Sequence, residues 1–102
     1  MAFKLIFAAE VFDDLQQNIN WYNEKQPGLG KRFYKSVKTQ LFRIKKAPYS
    51  IAIRYENVRC APVKEFPFLI HYKVDQEIAS IKVIAVFSTY RNPEMPKRRG
   101  GK

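Results

Sequence analysis

Residues 27–48 read PGLGKRFYKSVKTQLFRIKKAP, and this stretch contains the start signal, the apolar stripe and the stop signal of a helix. The apolar residues of the stripe are Phe33, Val37, Leu41 and Ile44. Steps of three and four residues place them along one face of a helix. Pro48 ends the helix, because the residue before a proline is biased away from helical dihedral angles. The Lys and Arg side chains off this stripe are Lys31, Arg32, Lys35, Lys38, Arg43, Lys45 and Lys46.

A second helical pattern precedes this one. Its apolar stripe consists of Phe12, Leu15, Ile19 and Tyr22. The pattern stops near Gln26, where Pro27, Gly28 and Gly30 follow. Proline cannot continue helical hydrogen bonding, and glycine accepts positive φ angles. Two helices joined by such a short loop predict an αα-hairpin.

Strand patterns flank the helical hairpin on both sides. Short apolar or alternating runs predict strands at residues 3–7, 51–55, 58–63 and 68–74. Glu56 and Asn57 separate the second and third of these runs, and a connection of two residues is the length of a tight β-hairpin.

The last strand pattern, residues 78–87, is the most apolar of the chain. Strict alternation predicts one face that holds Ile81, Val83, Ala85 and Phe87. The opposite face then holds Ile84 and Val86, so we expect this strand inside the sheet with both faces largely covered.

The predicted order of elements is βααββββ. The apolar stripes of two helices and one face of an antiparallel sheet must cover each other, which predicts an α+β fold with an N-terminal strand and an αα-hairpin packed on a twisted, mainly antiparallel sheet. A chain of 102 residues, 46% of them hydrophobic, has material for one core. We expect a single domain over residues 1–92 and a basic, mobile tail over residues 93–102, where apolar periodicity is lost.

Positive charge is concentrated in the middle of the chain. The formal net charge is +10, and residues 31–64 contain ten positive and one negative side chain. Residues 1–30, in contrast, contain two positive and four negative side chains. Such a field favours nucleic acid, the ribosome or an acidic protein as the partner.

Several classes of protein are not expected from this sequence. Cys60 is the only cysteine, so no internal disulfide can form, and the N-terminus has no secretory signal pattern. No apolar run approaches the roughly 20 residues that a membrane-spanning helix needs. No Cys, His or carboxylate cluster has metal-ligand spacing, and there is no glycine-rich phosphate loop. We therefore expect a cytoplasmic protein without a cofactor, a metal, a membrane partner or a small-molecule substrate.

Several short strings occur in a characteristic order along the chain. They are Trp21-Tyr22, Pro27-Gly28-Leu29-Gly30, Arg32-Phe33, Val58-Arg59, Phe66-Pro67-Phe68, Ile70, Tyr72, Val86-Phe87 and Arg91-Asn92-Pro93. In this order, and in a chain of this length, they resemble the RelE/ParE superfamily of toxins from bacterial type II toxin-antitoxin systems. The resemblance covers most of the chain and is to the ParE-like plasmid stabilisation proteins in particular.

The resemblance implies a toxin that a co-expressed antitoxin holds inactive. RelE-like members cleave messenger RNA in the ribosomal A site without a metal, and ParE-like members inhibit DNA gyrase. Ser88 stands where many members have a histidine, and Leu69 stands where RelE-like nucleases have an arginine. Neither side chain can carry positive charge, so gyrase is the expected target. The alternatives are a ribosome-dependent endoribonuclease and a decayed toxin that retains only antitoxin binding.

The resemblance and the charge pattern together suggest target-site residues. If the protein is a nuclease, its catalytic residues are expected to be Arg91, Tyr90 and Lys64, since metal-free cleavage needs groups that move protons and stabilise phosphate charge. The candidates for binding a target or nucleic acid are Arg59, Arg91, His71, Lys31, Lys35 and Lys38. For His71 the alternative is a structural or solvated side chain, and for the helix cations it is an ordinary solvated face.

Two aromatic residues are candidates for antitoxin binding. Phe42 projects away from the apolar stripe of its helix, so it is either packed by the following loop or exposed for a partner. Trp21 is either exposed for a partner or packed in the core of the hairpin. An acidic antitoxin would be attracted by a protein of net charge +10. The expected partners are thus an acidic antitoxin, encoded by a short neighbouring reading frame, and DNA gyrase, or the ribosome and messenger RNA in the alternative.

Overall fold

The computed structural model describes residues 3–89 of the chain. Along the sequence the elements are β1 (Lys4–Phe7), α1 (Ala9–Lys25), α2 (Leu29–Lys46), β2 (Ile53–Tyr55), β3 (Val58–Pro62), β4 (Phe68–Asp75) and β5 (Ser80–Ser88). The α+β fold and the order βααββββ are therefore confirmed. Tyr90, Arg91, the domain boundary at residue 92 and the tail of residues 93–102 lie outside the described residues.

The five strands form one mixed sheet in the order β1-β5-β4-β3-β2. β1 runs parallel to β5, and the other neighbouring pairs are antiparallel. A parallel pair needs a crossover connection, and here the helical hairpin together with β2, β3 and β4 lies between β1 and β5. β5 lies between β1 and β4, as its apolar sequence predicts.

Both helices pack their apolar stripes on the same face of the sheet. On α2 all four predicted stripe residues are buried, together with Gly30. On α1 the prediction was wrong by one position, because Val11 is fully buried whereas Phe12 is 59% exposed and packs against the ring of Phe7 at 5.7 Å. Neither helix among the described residues has the length and apolarity to cross a membrane.

The predicted faces of β5 were wrong beyond Val83. Tyr72 pairs with Val83 and His71 pairs with Ala85, so Ile84 is an additional residue on β5 and forms a β-bulge. The bulge shifts the alternation by one residue. The helix-covered core therefore contains Ile81, Val83 and Val86, and a second cluster on the opposite side of the sheet contains Val58, Cys60, Ile84, Ala85 and Phe87.

The two helices are in close contact at Gly30. Its backbone N–H donates a hydrogen bond to Oδ1 of Asn23 at 2.8 Å, which ties the start of α2 to the end of α1. A Cβ atom on residue 30 would overlap the carbonyl oxygen of Ile19 and the side chain of Asn23. Only glycine allows this contact between the helices.

We predict that Gly30→Ala destabilises the protein, although Gly→Ala in a helix interior ordinarily stabilises it by about 1 kcal/mol. Separating the helices to admit the new Cβ should cost about 1–3 kcal/mol, as overpacking does. Urea unfolding measures the difference, with Lys45→Ala on the exposed side of α2 as the control, expected within about 0.5 kcal/mol of the wild type. A Gly30→Ala variant more stable than the wild type would contradict the close approach.

Candidate functional site

A basic groove lies between α2 and the loop of residues 63–67. It has a volume of about 380 Å³. Its lining residues are Arg32, Lys35, Ser36, Thr39, Arg43, Lys64 and Glu65. The groove therefore combines one flank of α2 with a loop that follows β3, and four cations face one carboxylate.

Aromatic packing holds the loop against the helices. The ring of Phe66 is 5.0 Å from that of Tyr22 on α1 and 5.3 Å from that of Phe33 on α2. Lys64 and Glu65 directly precede Phe66, so this packing places both of them at α2. Glu65 has a φ angle of 73°, in the left-handed region, which turns the chain at this point.

The one carboxylate in the groove neutralises little of its charge. Oε1 of Glu65 is 3.4 Å from Nη2 of Arg32, and the two side chains are 52% and 62% exposed. An ion pair this exposed contributes little, because water and salt screen it. Four cations and the hydroxyl of Ser36 form a surface that suits a polyanion such as a phosphate backbone or an acidic protein segment. The Thr39 hydroxyl instead donates a hydrogen bond to the carbonyl oxygen of Lys35.

The groove unites some of the predicted target-binding residues and not others. Lys35 and Lys64 both line it, whereas Lys31 and Lys38 are exposed elsewhere on α2. Arg59 lies apart from the groove: its Nη1 donates a hydrogen bond to the carbonyl oxygen of Ile51, and its guanidinium lies 5.1 Å from the ring of Tyr49.

Four lining residues of the groove, Arg32, Ser36, Thr39 and Arg43, were not singled out from the sequence, although Arg32 and Arg43 belong to the cationic face of α2. Steps of four, three and four residues place these four side chains along one flank of a helix. What the spacing did not indicate is that the loop of residues 63–67 faces that flank.

His71 lies in a buried polar cluster on the face of the sheet away from the helices. The side chain is only 4% exposed. Its Nδ1 is 3.2 Å from the hydroxyl oxygen of Tyr55 and 3.2 Å from Sγ of Cys60. Cys60 and His71 are cross-strand partners in the β3–β4 register, which explains their contact despite eleven residues of separation. The placement fits the structural role for His71, because a side chain so buried is not offered to a target at the surface.

Burial keeps the members of this cluster uncharged at neutral pH. It lowers the pKa of His71 to about 4, with a further contribution from the positive charge of Arg54. Burial likewise raises the pKa of the Cys60 thiol, and it raises the pKa of Tyr55 to about 12. When Nδ1 of a neutral imidazole accepts a hydrogen bond, the ring proton is on Nε2. A thiol that stays protonated is a poor nucleophile. The cluster therefore has the properties of a structural element and not those of a reactive site.

Leu69 and Ser88, which stand where nucleases of the resembled family have an arginine and a histidine, lie on β4 and at the end of β5. Leu69 is paired with Phe87 across β4 and β5, and it packs against the second cluster. Ser88 is paired with Phe68 at the end of β5. Within residues 3–89, no three His, Cys, Asp or Glu side chains are grouped so that they could hold a metal ion.

The two candidate antitoxin-binding aromatics are both exposed. Phe42 is 58% exposed, and the ammonium of Lys46 lies 4.5 Å from its ring centre. Trp21 is 52% exposed, with Lys25 4.9 Å from its ring and Tyr22 packed edge-on at 5.0 Å. Trp21 thus lies at the surface of the hairpin and not in its core.

Comparison with known proteins shows the fold. No profile of a protein family and no curated protein sequence matches this chain. Among solved structures, a chain of the chromosomal ParDE TA system from P. aeruginosa is similar with a TM-score of 0.73 at 16% identity, over 84% of this chain and 95% of that one. A double mutant of E. coli toxin RelE in the free state has a TM-score of 0.67 at 17% identity, over 88% and 86%. The isolated E. coli RelE toxin has a TM-score of 0.67 at 16% identity, over 98% of both chains. The chain thus has the α+β fold of the RelE and ParDE structures.

We predict that the only histidine of the chain does not titrate in the physiological range. In the unfolded chain His71 has a pKa of about 6.5 and binds a proton below that pH, whereas in the folded chain its pKa is about 4. The free energy of unfolding attributable to His71 therefore falls as the pH drops from about 6.5 to 4, by about 3 kcal/mol in total.

The imidazole resonances in an NMR titration test this directly. They should stay constant from about pH 8 to pH 5 in the folded protein and move with a pKa of about 6.5 in urea. A folded-state midpoint near 6.5 would show that His71 is solvated and available for acid–base chemistry.

Proposed function

We propose that this protein is the toxin of a bacterial type II toxin-antitoxin module, and that it arrests growth by binding and inhibiting DNA gyrase in the cytoplasm. The observation that carries the proposal is the fold, which is similar over 84–98% of the chain to structures of a ParDE TA system and of the toxin RelE. The basic groove supplies a surface on which such a toxin can bind an acidic or phosphate-rich target.

The side chains of the sheet favour inhibition by binding over cleavage of RNA. Metal-free cleavage of RNA needs groups that exchange protons near neutral pH. His71 is buried and has its pKa lowered to about 4, and Leu69 and Ser88 cannot carry positive charge. These three positions therefore offer little acid–base chemistry, whereas binding through the groove needs only cations.

The second candidate is a ribosome-dependent endoribonuclease. Lys64 favours it, because this candidate catalytic residue lies in the same groove as Lys35, where phosphates of an RNA could bind both. The other two residues of this mechanism, Tyr90 and Arg91, lie outside the described residues. The third hypothesis is a decayed toxin that retains only antitoxin binding.

The proposed partner that holds the toxin inactive is an acidic antitoxin. α2 contains seven Lys and Arg residues and no acidic residue. A partner rich in carboxylates would bind such a surface quickly and could shield it from the cellular target.

Induced expression in a host without the antitoxin tests the proposed function, with plasmid supercoiling and messenger RNA integrity followed in the same samples. We expect growth arrest, loss of supercoiling and intact messages. Codon-linked cleavage of messages that disappears in Arg91→Ala would instead establish the endoribonuclease, and a harmless wild type would favour the decayed toxin.

The role of the groove is tested by reversing its charge. Lys35→Glu with Lys64→Glu should raise the concentration of protein that inhibits purified gyrase by about tenfold or more, since two of four converging cations become repulsive. Lys4→Glu with Lys82→Glu makes the same change in net charge at exposed positions on the sheet and should have little effect. Equal losses in both double variants would mean that only the net charge matters.

A further inference from the structure

Glu65 is an unexpected residue in a groove that otherwise suits anions. Its ionised carboxylate can only accept hydrogen bonds, and it repels phosphate. The aromatic packing of Phe66 nevertheless holds Glu65 at the groove, where a φ angle of 73° turns the chain. A ligand that binds well here must therefore offer a hydrogen-bond donor beside its negative charges.

The contact between Glu65 and Arg32 leaves room for such a donor. Oε1 of Glu65 is 3.4 Å from Nη2 of Arg32, which is longer than the roughly 2.7–2.9 Å of a strong charge-assisted hydrogen bond. Both side chains are more than half exposed, so water and salt weaken the pair. A hydroxyl group of a ligand can therefore join Arg32 at the carboxylate or replace it there.

The cations of the groove converge from two elements. Arg32, Lys35 and Arg43 lie along α2, and Lys64 lies on the loop that faces them. The planar fork of an arginine binds two phosphate oxygens at once, and the hydroxyl of Ser36 adds a further donor. A compact group with several negative charges can meet these donors together, whereas the carboxylates of a peptide are separated by its backbone.

The size of the groove limits the ligand further. A volume of about 380 Å³ is within the range of about 300–1,000 Å³ that is common for small-molecule sites. Arg32 and Arg43 are about 16 Å apart along the axis of α2. Because Glu65 lies beside Arg32, the donor of the ligand is at that end, and its negative charges extend towards Arg43.

Ribonucleotides have this arrangement of groups. The ribose has hydroxyl groups that donate hydrogen bonds, and Asp or Glu is the residue that accepts from a ribose hydroxyl in dinucleotide-binding folds. The phosphates follow on the other side of the sugar. The described lining residues of the groove include no aromatic or amide side chain that could stack on a base or read its edge. Recognition should therefore depend on the sugar and the phosphates and not on the base.

We propose that the basic groove binds a ribonucleoside di- or triphosphate, with Glu65 accepting hydrogen bonds from the ribose and the cations holding the phosphates. The ligand is either a free nucleotide or the 5′ end of an RNA that carries the same phosphates and a 2′-hydroxyl. The consequence for regulation rests on the proposed function: a nucleotide in the groove competes with the cellular target.

Isothermal titration calorimetry of the full chain at about 150 mM salt tests the proposal. The probes are ATP, CTP, the 2′,3′-dideoxy form of ATP, which lacks both hydroxyls, and inorganic tripolyphosphate. We expect ATP and CTP to bind alike, with a dissociation constant below about 1 mM. The dideoxy form should bind about tenfold more weakly, because hydrogen bonds to a charged group are lost.

Variants separate the role of Glu65 from a general effect of charge. Glu65→Ala should abolish the preference for ATP over its dideoxy form. Tripolyphosphate should bind this variant as tightly as the wild type or more tightly, because a repulsive charge is gone. Glu77→Ala removes an exposed carboxylate from the turn before β5 and should preserve the preference.

The lysines of the groove are tested in the same way. Lys35→Ala with Lys64→Ala should weaken the binding of ATP about tenfold or more, since two of the four cations are lost. Lys4→Ala with Lys82→Ala makes the same change in net charge at exposed positions on the sheet and should weaken it less than about twofold.

Two RNA probes identify the source of the nucleotide. An RNA of about ten residues with a 5′-triphosphate is compared with the same RNA with a 5′-hydroxyl and with ATP. Tighter binding of the triphosphate RNA than of ATP would identify the end of an RNA as the ligand. Equal or weaker binding would identify a free nucleotide.

Four results would overturn the proposal: no binding of ATP, equal binding of ATP and its dideoxy form, a preference that survives in Glu65→Ala, or hydroxyl RNA that binds as tightly as triphosphate RNA. Growth arrest by the wild type is measured separately. Arrest by a protein that does not bind ATP removes the nucleotide site and leaves the proposed function. Binding of ATP that depends on Glu65 in a protein that does not arrest growth removes the toxin function and leaves the site.

Discussion

The arrangement of the groove depends on one aromatic cluster. The ring of Phe33 lies 4.8 Å from that of Phe68 and 5.2 Å from that of Tyr22, and Phe66 closes the cluster against both Tyr22 and Phe33. The four rings join α1, α2, the loop of residues 63–67 and the start of β4. Aromatic pairs of this geometry contribute about 0.5–1.5 kcal/mol each beyond burial. The Arg32–Glu65 pair is exposed, so this buried cluster is the main contact that holds Lys64 beside the basic flank of α2.

Local periodicity predicted the helices and strands well, and it failed where the protein inserts or shifts a residue. Every predicted stripe residue of α2 is buried, because the helix packs this stripe into the core that it shares with α1 and the sheet. On α1 the buried position is Val11 and not Phe12, since packing geometry and not hydrophobicity decides which edge of a stripe faces inward. Alternation along β5 fails at Ile84, because a bulge adds a residue that a count of apolar positions cannot detect.

The site was predictable only as separate residues. Lys35 and Lys64 were both named from the sequence, yet their common groove depends on aromatic packing that brings a loop to a helix. The contact of Cys60 with His71 depends on the β3–β4 register, which neither residue's spacing reveals. Burial of His71 likewise depends on this register, and it removes from the surface the side chain best suited to proton transfer.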